Sequence, residues 1–175
     1  MSNRLLGIAV TLALILSVPI VSRAAEPATK PPAAGKPTTG PGREMPSMGN
    51  EHIEAPTSPH HPYNSDPPTS GPHVPYIAKW GVHQTPIPPE LQVHNLEDGG
   101  VLIQYSCKNC DALVAKLEAF AGPNPRVIVA PYPSGKAPIA LTAWGRIDTF
   151  DQLDPLRIER FIRAYMGIDH HPRHE

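Results

Sequence analysis

The sequence predicts a small α+β domain: a mixed or antiparallel sheet with elements in the order β-α-β-β-α, both helices on one face, and a long irregular Pro-rich N-terminal arm. Three observations carry this. Short β-branched and aliphatic runs bounded by turn residues recur after Leu91. Two segments there repeat apolar residues at helical spacing. Of 175 residues 24 are Pro, most of them ahead of Leu91. Hydrophobic residues make up 40% of the chain and charged ones 18%, enough for a real core, and the length supports one modest domain. The absence of a triplet Gly period or a heptad series excludes collagen and coiled coil. A formal charge of −1 without a basic stripe argues against nucleic acid as a partner.

Residues 1–24 read as a secretory signal: Asn3-Arg4, an apolar run from Leu5 to Val21 broken by Pro19, then small Ser22 and Ala24, with cleavage expected after Ala24. The other reading is an uncleaved anchor, because the run is near the lower limit for spanning a bilayer; only then is a membrane a partner. Either way, the rest of the chain is expected in the periplasm or outside the cell, where thiols oxidise. Residues 25–50, rich in Ala, Thr, Lys, Pro and Gly, read as a disordered linker. The folded unit is expected over 51–168. Its first part, 51–90, keeps the Pro density but adds His52, His60, His61, Tyr63, His73, Tyr76, Trp80 and His83, and so reads as an ordered arm without regular structure.

Val101–Tyr105 is a β-rich run after Gly99-Gly100. Leu113, Leu117 and Phe120 give Cys110–Ala121 a helical apolar face, stopped by Gly122-Pro123. Arg126–Ala130 and Ile139–Trp144 are the next two strands. Asp154-Pro155 starts a last helix to about Met166, with Ile158, Phe161, Ile162 and Tyr165 on its apolar face. Residues 169–175, with His170, His171 and His174, read as a flexible tail.

Chemistry is suggested by three features: histidines spread over the arm and the approach to the first strand, a Cys-x-x-Cys pair, and the block Pro67-Pro68-Thr69-Ser70-Gly71-Pro72-His73. Cys107-Lys108-Asn109-Cys110 stands between a strand and a helix, where free amide N–H groups, the helix dipole and Lys108 all favour thiolate. It could grip a soft metal, exchange disulfides with Cys107 attacking and Cys110 resolving, or form a plain local disulfide. A thioredoxin-like redox unit would need a proline beside the dithiol, and Pro131 is the candidate. His94 and Asp98, four residues apart, would share one side of a helical turn ahead of Gly99-Gly100. His73 and His52 are the natural additional ligands, because the arm must fold back over the sheet to be ordered. Singly, each histidine reads as a packing residue; the cluster favours a site.

Gly49-x-x-His52, Tyr63, Pro67-Pro68-Thr69-Ser70-Gly71-Pro72-His73, Val93-His94-Asn95-Leu96-Glu97, Gly99-Gly100-Val101, Val129-Ala130-Pro131-Tyr132-Pro133, Leu141-Thr142-Ala143-Trp144-Gly145-Arg146 and the terminal Phe161-Ile162-Arg163-Ala164-Tyr165 together resemble the uncharacterised bacterial family DUF3105, over about residues 49–166. In that pattern a histidine usually stands where this chain has Asp98, and Cys-x-x-Cys is not a family-wide feature. The resemblance therefore implies a harder ligand set here.

The expectation is an exported protein that binds a transition-metal ion, copper or zinc, through His52, His73, His94 and Asp98, with Cys107 and Cys110 as added ligands or a second site. Its partners would be the ion and, second to it, another envelope protein. Binding is expected rather than catalysis. Thiol–disulfide exchange and a purely structural or interaction domain are the alternatives. Ser70 lacks both a Gly-x-Ser-x-Gly elbow and a base at telling spacing, so hydrolysis ranks last.

Overall fold

The structure is a computed structural model and describes residues 40–172. The predicted export signal with its cleavage point, the linker up to residue 39 and His174 lie outside the described residues. The elements are β1 (Arg43–Glu44), β2 (Gly81–Val82), α1 (Pro89–Glu97), β3 (Val101–Tyr105), α2 (Asp111–Glu118), β4 (Val127–Pro131), β5 (Ile139–Ala143), β6 (Arg146–Phe150) and α3 (Pro155–Tyr165). They build a mixed α+β unit around one six-stranded sheet in the order β1-β6-β5-β3-β4-β2. β3 runs parallel to β4, and β4 parallel to β2; β5 is antiparallel to both β3 and β6, and β6 to β1.

The two-residue period of a strand divides the core. Val101, Ile103, Val127, Val129, Ile139, Leu141 and Ala143 point to one face, where Leu117 of α2 and Ile158, Phe161 and Ile162 of α3 cover them. Leu102, Ile128 and Ala130 point to the other, against Leu96 of α1 and Ala78 and Ile87 of the arm. Covered on both sides, the central strands read as continuous apolar runs rather than alternating ones. Predicted helices α2 and α3 share one face as expected. The Asp154 side chain caps α3 by accepting from the Arg157 N–H at 3.0 Å, and Pro155 occupies its first turn.

A third helix, α1, lies on the opposite face and was not predicted as a helix. Every residue from Gln92 to Glu97 is buried, so no polar stripe reveals its period. Its polar residues are used internally. Gln104 Nε2 donates to Gln92 Oε1 at 3.0 Å, and Gln92 Nε2 donates to the Ile87 carbonyl. Asn95 holds the arm: its Oδ1 accepts from Ala78 N–H at 2.8 Å and its Nδ2 donates to Ala78 C=O at 3.0 Å.

The ordered arm begins earlier than the sequence suggested. Residues 40–50, read as linker, carry β1 on the sheet edge, and Met45 is buried. Backbone pairing at an edge needs no apolar side chains, which is why composition gave no sign of it. Pro67 to Val74 is wholly buried beneath this outer strand of arm. The layers are joined by Met48 N–H to Ser70 Oγ, Gly71 N–H to Gly49 C=O, His73 N–H to Glu51 C=O and Ile53 N–H to His73 C=O, all at 2.8–3.0 Å. A side chain at Gly71 (φ +114°) would meet Met48 and the Tyr63 ring at 3.2–3.3 Å.

Replacing Asn95 by Ala leaves the buried Ala78 N–H and C=O without partners, and should lower unfolding free energy by roughly 2–6 kcal/mol at about 1–3 kcal/mol per orphaned group. Urea denaturation of Asn95→Ala against the parent chain measures this; an unchanged midpoint would remove Asn95 as the clamp of the arm.

Candidate metal centre

Three chain segments converge at the C-terminal end of α1. The arm supplies His52 and His73, which face each other as an isolated parallel bridge. The last turn of α1 and its cap supply His94, Glu97 and Asp98. The C-terminal segment after α3 supplies His171. This segment docks because Gly167 N–H donates to Gly99 C=O at 2.7 Å and His170 N–H to Glu97 C=O at 2.9 Å. Gly99 has φ +75°, and a Cβ there would lie 2.7 Å from the Ile168 backbone, so only glycine admits the returning chain.

The Glu97 carboxylate, 1% exposed, is the hub. Its Oε1 accepts from Asn50 Nδ2 at 2.9 Å. Its Oε2 faces the Nε2 atoms of His73 at 2.9 Å, His171 at 3.4 Å and His52 at 3.9 Å. One donor atom from each of His52, His73, His94 and Glu97 lies within 4.8 Å of all the others, and His94, Asp98 and His171 form a second such group sharing His94. The Asp98 Oδ1 is 4.0 Å from His94 Nε2 and 3.7 Å from His171 Nε2.

Hydrogen-bond bookkeeping shows what this arrangement lacks. A carbonyl oxygen only accepts, so His73 Nδ1 donates to the Gly71 carbonyl, 2.7 Å away. In a neutral ring the Nε2 lone pair then faces Glu97 Oε2, whereas a doubly protonated ring donates to it. His171 repeats the pattern: Nδ1 lies 2.7 Å from Asp169 Oδ1, and Nε2 faces Glu97 and Asp98. Lone pairs therefore meet lone pairs unless a proton or a cation lies between them. An Nδ1 anchored on a carbonyl or carboxylate with Nε2 turned inward is also how metal-binding imidazoles are oriented. His94 Nδ1 is buried without a hydrogen-bond partner within bonding geometry. The negative end of α1 further favours a cation here.

His52, His73 and His94 are thus brought together, and Asp98 borders them through His94 and His171. Cys107 and Cys110 are not among the grouped residues. They are bonded to each other, beyond the far end of β3, whose five residues span about 16 Å. A disulfide also has no thiolate to offer a metal. The segment expected as a flexible tail contributes His171, while His170 stacks on Trp144 with centroids 5.8 Å apart. Glu97 was passed over in the sequence, although its i, i+3 relation to His94 places both on one helical face. His171 and Asp169 carried no sequence signal, because their docking depends on the Gly99–Gly167 backbone contact.

Burial, and then the neighbouring His73, push the His94 ring below its ordinary pKa of 6.5, against Asp98 and Glu97. The Asp169 hydrogen bond, helped by the charges of Glu97, Asp169 and Asp98, raises that of His171 against desolvation. In the metal-free protein, NMR should find His94 titrating below 6.5 and His171 above it. A depressed folded-state pKa means the unfolded chain binds more protons, so the His94 contribution to stability is present above 6.5 and is lost as pH falls through the folded value. Coincident titration of the two rings would contradict the described geometry.

Neither the curated proteins nor the solved structures offer a match to this chain. A family model does: the one described as protein of unknown function (DUF3105) matches residues 55–175. That span takes in the buried proline block, α1, strands β2 to β6 and all of the grouped side chains except His52. The chain belongs to the DUF3105 family.

Proposed function

We propose that this protein is exported to the periplasm or cell envelope and binds one divalent transition-metal ion, zinc or copper(II), at the Glu97 hub. One observation carries the reading: the His73 Nε2 and Glu97 Oε2, both buried, face each other at 2.9 Å while His73 Nδ1 is already committed to a carbonyl. A proton on His73 would satisfy that pair alone, whereas a bound cation would satisfy it and also give His52, His94 and His171 a common partner. The donors are imidazole nitrogens and carboxylate oxygens without sulfur, a set that suits borderline divalent ions and not copper(I). The export reading rests on residues 1–24 and is consistent with a disulfide between Cys107 and Cys110.

The side chains of His73 and Glu97 are inaccessible, whereas those of His52 and His171 are 47% and 39% exposed. An ion held there has a rigid inner wall and an accessible rim, so it can be loaded and removed without unfolding the domain. Capture and handling of the ion, rather than turnover of a substrate, is the activity this supports.

Purified tag-free protein should bind one zinc or copper(II) ion per chain in competition against a chromophoric chelator, with stoichiometry checked by elemental analysis. Removal of second-shell partners typically lowers metal affinity 10–100-fold, so His73→Ala and Glu97→Gln, which remove proposed ligands, should each cost about 100-fold or more. A Cys107→Ser/Cys110→Ser variant should bind as the parent does. Equal affinity in the parent, His73→Ala and Glu97→Gln would overturn the proposal.

A further inference from the structure

The disulfide at the other end of β3 lies outside the metal cluster. It closes a loop of only four residues, Cys107 to Cys110, between elements already fixed by the β3–β4 and β3–β5 ladders. Cross-links over so short a loop constrain the unfolded chain least, so a stapling role gives little account of it. Its setting fits chemistry better. The pair stands in a β3–α2–β4 unit with parallel strands, the context in which Cys-x-x-Cys serves as a redox motif. Cys110 is the N-cap residue of α2 and its side chain makes no capping hydrogen bond. Both sulfurs therefore sit by the amide-rich, positive end of the helix, which stabilises a thiolate leaving group. Lys108 and Asp111 are the flanking charges. Cys107 and Cys110 are half-buried, and Lys108 and Asn109 between them are exposed, so a co-reactant can reach the bond.

A prolyl segment holds the residue that precedes the pair. Ser106, just before Cys107, donates its N–H to the Pro138 carbonyl at 3.1 Å and its hydroxyl to the Ala137 carbonyl at 2.6 Å. A Cβ on Gly135 would lie 3.0 Å from Ser106 Cβ. Pro138 thus pairs with the residue just before Cys107, whereas Pro131 pairs with Tyr105 in the β3–β4 ladder.

We propose that Cys107 and Cys110 form a thiol–disulfide exchange centre acting on dithiols. A substrate thiolate attacks Cys107 Sγ. The Cys107–Cys110 bond breaks, Cys110 leaves as the thiolate, and a mixed disulfide forms. The second substrate thiol, as thiolate, attacks the substrate sulfur of that bond and expels Cys107. The substrate dithiol becomes a disulfide, the protein disulfide becomes a dithiol, and two electrons and two protons pass to the protein. Run backwards, the same steps reduce a disulfide.

The full chain is equilibrated in glutathione buffers of stepped reduced-to-oxidised ratio, quenched by alkylation and weighed by mass spectrometry. In parallel, Cys107 of the Cys110→Ser variant is alkylated with iodoacetamide at pH 6. The expected results are a pair that titrates between oxidised and reduced within the glutathione range, and a Cys107 that alkylates at least tenfold faster than glutathione and traps a glutathione mixed disulfide. A pair that stays oxidised at every ratio, together with a Cys107 no faster than glutathione, overturns the proposal. If Cys110→Ser fails to fold by circular dichroism, the parent titration decides alone.

Discussion

A single carboxylate buried among imidazoles organises this molecule. Glu97 sits at the last turn of α1, with one oxygen on Asn50 and the other facing three histidine Nε2 atoms from two distant segments. Bringing imidazoles around a buried carboxylate costs desolvation that a cation in their midst offsets. The outer arm, the proline block and the C-terminal segment all end at this point. The backbone pairing of residues 49–53 with 71–73 is the scaffolding that aims His52 and His73.

The His/Glu cluster and the Cys107–Cys110 disulfide lie at opposite ends of β3, and each is held by irregular chain fixed against regular structure. At one end Gly99 lets the C-terminal segment return to within van der Waals contact. At the other, the Ala137-Pro138 carbonyls pin Ser106. The sheet between them is buried on both faces, so it acts as a rigid spacer that keeps the two sites independent.

Much of the fold was legible in the residues. The strand Val101–Tyr105 carries strong β-branched and aliphatic character and appears with the expected bounds, and α3 follows its Asp154-Pro155 signal. What escaped were α1, polar yet buried all round, the two-residue edge strands β1 and β2, made by backbone pairing, and β6, the return strand of the β5–β6 hairpin. The site followed the same division. His52, His73 and His94 could be read as a set because a proline-rich arm must lie on the sheet, whereas His171 depends on one glycine contact that spacing does not encode. Cys107 and Cys110 were legible as a pair but not as distant from the histidines, since distance along β3 becomes physical only once α1 is known to enter at its opposite end.

X-ray absorption spectroscopy of the zinc- or copper(II)-loaded full chain tests the central claim most directly. The account predicts a first shell of nitrogen and oxygen only, at about 2.0–2.1 Å for zinc, with the outer scattering of at least two imidazoles. Sulfur scattering near 2.3 Å, or a shell without imidazole, would contradict it.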